Sequence, residues 1–297
     1  MSATGLRWAV PLPMTRPEEL LPLARRIDDL GYDTIMLPDS VFFPESVSAD
    51  YPYSDGGGRF WSPETPFVDP FVAIPAMAAV TERVRFVTNV AKVPLRNPLL
   101  LAKQIASIAV MSDNRFALGV GLGWIPEEFT WCGTNMATRG ARTDEAIEII
   151  QLVCAGQGPQ WVEYHGSHHQ FGRLMISPAP SQPVTVMGGG HSEPALRRAA
   201  QRCDGWISVQ STFDELASAI DRLSHLRAES SRRHLPFEIS ALCTEAFDAE
   251  SFERLASLGV HEAQVLPWYF YGGDPEDLDV RLRALERFAA DVINPSR

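Results

Sequence analysis

Gly188, Gly189 and Gly190, followed by His191 and Ser192 in the stretch VTVMGGGHSEPALRR, put three residues without side chains between an apolar run and a helix start. Either the backbone turns tightly there or a ligand lies against it. Ser192 is a good N-cap and Pro194 suits a first helical turn. The first N–H groups of a helix are unpaired and the helix dipole favours negative charge, so such a start attracts anions. A turn alone needs one or two glycines. Three of them with His191 and Ser192 read as a phosphate cradle built from backbone N–H groups. Arg197 and Arg198 add positive charge if they face the loop, and are otherwise solvated.

A second glycine set, Gly119, Gly121 and Gly123, ends in Trp124 within GVGLGW. Missing Cβ atoms would let a flat ring come close, or would satisfy packing inside a barrel. Few hard ligands or nucleophiles stand at the ends of the apolar runs. Asp39, Glu245 and His191 lie on different runs, so a metal site is not expected. No Lys stands at a run end for a Schiff base, the nearest being Lys92, and no GxSxG elbow occurs. His165, His168 and His169 have no carboxylate or Cys spaced with them and read as a surface hairpin. For Asp39 three roles remain open: a polar anchor, a proton acceptor with a raised pKa, or a strand-end cap.

The elements that must position these residues alternate from end to end. Strand candidates are Arg7–Pro13, Thr34–Asp39, Val84–Val90, Arg115–Gly123, Val184–Gly188, Gly205–Gln210, Phe237–Glu245 and Glu262–Trp268. Helical patterns lie between them. Glu18–Leu30 has Thr15 and Glu18 as capping box and Gly31 as left-handed C-cap. Asp214–Glu229 has Thr212 and Glu215, and Asp274–Pro275 opens the last helix. Eight β-then-α units predict a (β/α)8 TIM barrel; a doubly wound sheet would carry its glycine-rich turn early. The chain reads as one domain, residues 1–297, with insertions at about 40–68 and 156–183. A net charge of −11 without a basic stripe argues against nucleic acid. No long apolar run spans a membrane and no signal peptide is visible. The four cysteines form no CxxC pair, which suits the cytoplasm.

The stretches YPYSDGGGRF, FVDPFVAIPAMAAVTERVRFVTNV, VPLRNPLLLAKQIASIAVMSDNRFALGVGLGWIPEEF, RGARTDEAIEII and GGGHSEPALRRAAQRCDGW, in that order, resemble the luciferase-like monooxygenase superfamily, in its actinobacterial branch that uses the deazaflavin coenzyme F420. The resemblance implies a luciferase-like barrel, often homodimeric, with F420 or FMN at its C-terminal mouth. It implies phosphate contacts at Gly188, Gly189, Gly190, His191 and Ser192, and a non-prolyl cis peptide at Asn89–Val90 backing the ring. Several relatives carry a carboxylate followed by His at the second strand. Here Asp39 is followed by Ser40, so a His-based mechanism is in doubt. The implied chemistry is hydride transfer between F420 and a small organic substrate, apolar or flat. That substrate would stack under Trp124, Trp268 and an aromatic lid of Tyr51, Tyr53, Phe60 and Trp61. An FMN-dependent monooxygenase using reduced flavin and O2, or a non-catalytic flavin-binding barrel, are the alternatives.

Overall fold

The computed structural model describes residues 5–52 and 56–294; Tyr53 lies outside them. Its elements run β1 (Arg7–Pro11), α1 (Pro17–Leu30), β2 (Thr34–Leu37), α2 (Pro70–Ala78), β3 (Arg85–Thr88), β4 (Ala91–Lys92), α3 (Pro98–Met111), β5 (Phe116–Gly121), α4 (Pro126–Trp131) and α5 (Arg139–Val153). They continue β6 (Trp161–His165), β7 (Gln170–Met175), β8 (Thr185–Gly189), α6 (Glu193–Arg202), β9 (Gly205–Ile207), α7 (Phe213–Ala228), β10 (Glu238–Ala241), α8 (Ala249–Ser257), β11 (Glu262–Gln264) and α9 (Leu278–Phe288).

Parallel pairing runs β1–β2–β3–β5–β8–β9–β10–β11 and returns to β1, so the sheet closes into the expected (β/α)8 barrel. Period-two alternation sorts each strand into two faces. Trp8, Val10, Ile35, Phe86 and Leu118 face outward into the main core beneath the helices. Ala9, Met36, Val87, Ala117, Met187 and Ile207 point inward and form a separate apolar plug, with Val90 packed on it. Nearer the N-terminal ends the interior is polar: Glu238 pairs with Arg7 and with Arg85, the latter at 2.9 Å, and Thr34 donates to Glu262 at 2.5 Å. The plug therefore closes the barrel below its C-terminal mouth.

Two helix starts differ from the sequence reading. In α1 the N-cap is Arg16, without a side-chain cap. Thr15 instead accepts a hydrogen bond from Arg281 Nη2 at 2.9 Å, a tertiary contact that displaces the local capping box. The last helix opens at Asp277, which accepts from the N–H groups of Asp279 and Val280; Asp274 and Pro275 precede it. The capping box of Thr212 and Glu215 and the left-handed Gly31 C-cap form as expected.

The second insertion contains the antiparallel hairpin β6–β7. Its His-rich turn is docked by Glu145 of α5, which accepts the N–H groups of Ser167, His168 and His169. In the first insertion aromatic rings collect: Tyr51 lies 5.2 Å from Trp61 and 5.2 Å from Trp124, and Trp61 contacts Phe67 at 6.0 Å.

Gly119 of β5 lies beside the end of its parallel neighbour β3. Thr88 Oγ1 donates to the Gly119 carbonyl at 2.8 Å and accepts its N–H at 2.9 Å, so the strands meet closely. A Cβ on Gly119 would lie 1.9 Å from the Thr88 carbonyl oxygen. Gly119→Ala is therefore expected to cost at least the ~1–3 kcal/mol of an overpacked core, read as a lowered denaturant midpoint; an unchanged midpoint would refute this close approach.

Candidate active site

The mouth is built around the segment joining β3 to β4. The Asn89–Val90 peptide is cis, as the family resemblance implies. The Asn89 N–H donates to the Leu37 carbonyl at 2.6 Å, and its side-chain amide reaches Gln264 at 3.3 Å, which in turn contacts Ser240 at 3.3 Å. This polar belt fixes the bulge from the opposite wall. Val90 lies between two glycines. A Cβ on Gly121 would sit 2.5 Å from one Val90 methyl, and a Cβ on Gly189 would sit 2.9 Å from the other. Both glycines thus make room for Val90, and Val90 becomes the floor.

Asp39, at the end of β2, is buried and fully engaged. Oδ2 accepts from Arg96 Nη1 at 2.5 Å and from the Lys92 N–H at 2.7 Å, while Oδ1 accepts from Arg96 Nη2 at 2.9 Å. Such a bidentate fork fixes geometry as well as charge. The hydrogen bond to Asp39 holds the Arg96 guanidinium above its ordinary value against the opposing effect of burial. With both oxygens committed, Asp39 acts here as an anchor between β2 and β4. Ser40 follows, half-buried. Lys92 Nζ meets Glu128 of α4 at 2.5 Å, and Asp69, the N-cap of α2, contacts Arg96 at 3.4 Å. Burial raises the Glu128 carboxyl above the usual range, although the Lys92 ammonium pulls against it. Sequence reasoning missed Lys92, Arg96, Glu128 and Asp69 as a group. Their only signal was charge next to strand ends.

At the β8–α6 turn, Gly188 faces outward and its missing Cβ admits Ala199 of α6, at 2.8 Å from an added Cβ. Gly190 takes a φ of 99°, open to glycine at little cost, and its carbonyl accepts from Trp206 Nε1 at 2.9 Å. His191 Nε2 accepts the Val209 N–H at 3.0 Å, and its ring lies 5.1 Å from that of Trp206. Ser192 is the exposed N-cap of α6 and makes no side-chain cap. The backbone N–H groups of His191 and Ser192 have no acceptor among the described residues. Arg197 pairs with Glu193 and Arg198 with Asp144 of α5, so both guanidinium groups are committed to carboxylates.

Gly123 is left-handed, with φ of 77°, and turns the chain from β5 towards Trp124, which packs on Tyr51. Trp268, in contrast, is 3% exposed and lies beneath Arg281, whose guanidinium carbon is 4.5 Å from its ring. It is not open to a stacked substrate.

The model of the luciferase-like monooxygenase family matches residues 3–286. The chain belongs to that family. As a luciferase-like protein it falls among oxidoreductases and monooxygenases. It is 38% identical over 291 residues to an uncharacterised protein of Mycobacterium tuberculosis, covering 97% of this chain and 99% of the relative. Its fold is similar to that of an F420-dependent secondary alcohol dehydrogenase in complex with an F420-acetone adduct (TM-score 0.74, 16% identity, 100% of both chains). It is also similar to the oxygenating constituent of 3,6-diketocamphane monooxygenase from Pseudomonas putida, in complex with FMN (TM-score 0.61, 18% identity, 80% of this chain and 66% of that one). Among the described residues of this luciferase-like chain no helix is long and apolar enough to cross a membrane.

Two outcomes test this site. Replacing Arg96 with Met leaves the Asp39 carboxylate buried and unpaired, so a loss of about 3–5 kcal/mol is expected in chemical denaturation; a loss below 1 kcal/mol would show Asp39 to be solvated. Burial holds His191 below its ordinary value of 6.5. The unfolded chain therefore takes up the proton first, and the contribution to stability is complete above about pH 6.5 and declines as pH falls towards the folded-state value. An NMR titration of the His191 ring should give a pKa below 6.5; a value above it would contradict the neutral, accepting Nε2.

Proposed function

We propose that this chain binds a flavin-type coenzyme across Val90 and is an F420-dependent oxidoreductase acting on a small, apolar or flat organic substrate. The observation that carries the reading is Val90 seated between Gly121 and Gly189. It gives the mouth an apolar floor with no side chain at the two positions that flank it. The residues present fit such a group. Val90, seated over Gly121, would support the ring, whereas the missing Cβ of Gly123 makes room for Phe129 and the Lys92 stem, so that glycine serves the turn and not the ring as the sequence suggested. The N–H groups of His191 and Ser192, which lack acceptors among the described residues, would meet its phosphate beside Gly189 and Gly190. When bound, the coenzyme supplies hydride acceptance and donation. Proteins of like fold include both an F420-dependent and an FMN-containing one, and F420 is taken as the coenzyme from the likeness of the sequence motifs to the deazaflavin branch.

The chain's own part is to bind, orient and exclude water. Tyr51, Trp61 and Trp124 form an aromatic wall over the mouth, and substrate would lie against Trp124. Ser40 offers a hydroxyl beside the committed Asp39 and can hold a substrate oxygen. The protein acts as a homodimer in this reading. Helices α2 and α3 turn apolar residues outward, Val72 at 67% exposure and Leu100 at 69%, a surface suited to a second copy. The four free cysteines suit a reducing cytoplasm.

Titration with F420 and FMN, followed by cofactor fluorescence, tests the assignment. Tight F420 binding with FMN at least tenfold weaker is expected; the reverse order would make the protein an FMN-dependent monooxygenase. Gly190→Glu should abolish binding through charge repulsion at the phosphate. Gly190→Ala, which carries the same φ strain without charge, should weaken it far less. Equal effects would reduce the glycines to a turn.

A further inference from the structure

Strand β4 has two residues, Ala91 and Lys92, paired with Val120 and Gly121 of β5. A strand that short cannot hold its own register, yet it fixes the C-terminal side of the Asn89–Val90 bulge. Lys92 is tied at both ends. Its N–H donates to Asp39 at 2.7 Å and its ammonium meets Glu128 at 2.5 Å. The Glu128 side chain is 0% exposed and that of Lys92 10%. Glu128 Oε2 has no hydrogen-bond partner among the described residues, so Lys92 is the main compensation for that buried charge. Its other oxygen lies 3.5 Å from the Val41 N–H, at the start of the first insertion.

Resting on the cofactor reading above for its affinity readout only, we propose that Lys92 and Glu128 are a positioning pair that locks the Asn89–Val90 bulge to α4 and to the root of the first insertion. Burying an ion pair gains little net stability compared with apolar side chains of similar size. The stem of Lys92 passes 3.8 Å from a Cβ built on Gly123, so the pair spans the gap between the bulge and the turn that presents Trp124. One salt bridge thereby sets the spacing of the floor and one wall of the mouth.

The test compares wild type, K92R, E128Q and the apolar double variant K92M/E128L in three measurements: melting temperature, amide hydrogen exchange over residues 89–96, and affinity for F420 and FMN. The double variant removes both charges together and is expected to fold with a near wild-type melting temperature. Its exchange over residues 89–96 should quicken at least tenfold while β1 and β10 stay protected, and cofactor dissociation constants should rise at least tenfold. K92R should retain protection. Wild-type exchange over residues 89–96 in the folded double variant would overturn the proposal whatever the cofactor result. Should the double variant fail to fold, E128Q carries the same reading: faster exchange supports the pair, and unchanged exchange overturns it. A wild-type protein that binds neither cofactor sinks the functional reading alone, because the exchange measurement needs no cofactor.

Discussion

The architecture of the mouth depends on one steric fit, the side chain of Val90 lying between the bare backbones of Gly121 and Gly189. Strands β5 and β8 each give up a side chain at the height where the β3–β4 bulge leans across the barrel. Without those two vacancies the bulge could not reach the apolar plug of Ala9, Met36, Val87, Ala117, Met187 and Ile207 that Val90 caps. Close packing leaves little slack in such a contact: a methyl group added at either glycine has to displace Val90.

Around this fit the charged residues act as fasteners. Arg96 and the Lys92 N–H hold Asp39, and Lys92 holds Glu128, so the segment that directly follows the bulge is tied to the end of β2 and to α4. On the far side the loop after β8 is held by two bonds that use side chains as struts: Trp206 to the Gly190 carbonyl, and the Val209 N–H to His191. His191 thus shapes the loop while its neighbouring N–H groups remain free of acceptors among the described residues. Bulge and loop are each held by internal hydrogen bonds, so the coenzyme proposed above would meet ordered backbone, which lowers the cost of ordering a site on binding.

Much of this was legible in the sequence. Apolar runs bounded by Gly, Pro and Asp located all eight barrel strands, because period-two burial and turn chemistry are local signals. The glycines of GVGLGW and MGGGHS pointed to the mouth, but their individual reasons were not readable. Gly188 serves α6 on the outside of the wall, Gly119 serves Thr88, and Gly121 and Gly189 serve Val90. Each partner is far away in sequence, so no spacing rule could assign it. The same holds for the Asp39, Lys92, Arg96 and Glu128 network, whose members meet only once the barrel closes, and for Trp268, which Arg281 of α9 covers. Thr15 was misread for the same reason: a side chain with a good local partner took a distant one.

The most direct measurement of the central claim is cofactor affinity in Gly121→Ala and in the compensated variant Gly121→Ala/Val90→Ala. The added methyl of the single variant should push Val90 off its seat and weaken binding at least tenfold with the barrel still folded. Shortening Val90 should relieve the clash and recover most of the affinity. Wild-type affinity in Gly121→Ala, or a double variant no better than the single one, would show that the seat of Val90 does not govern the mouth.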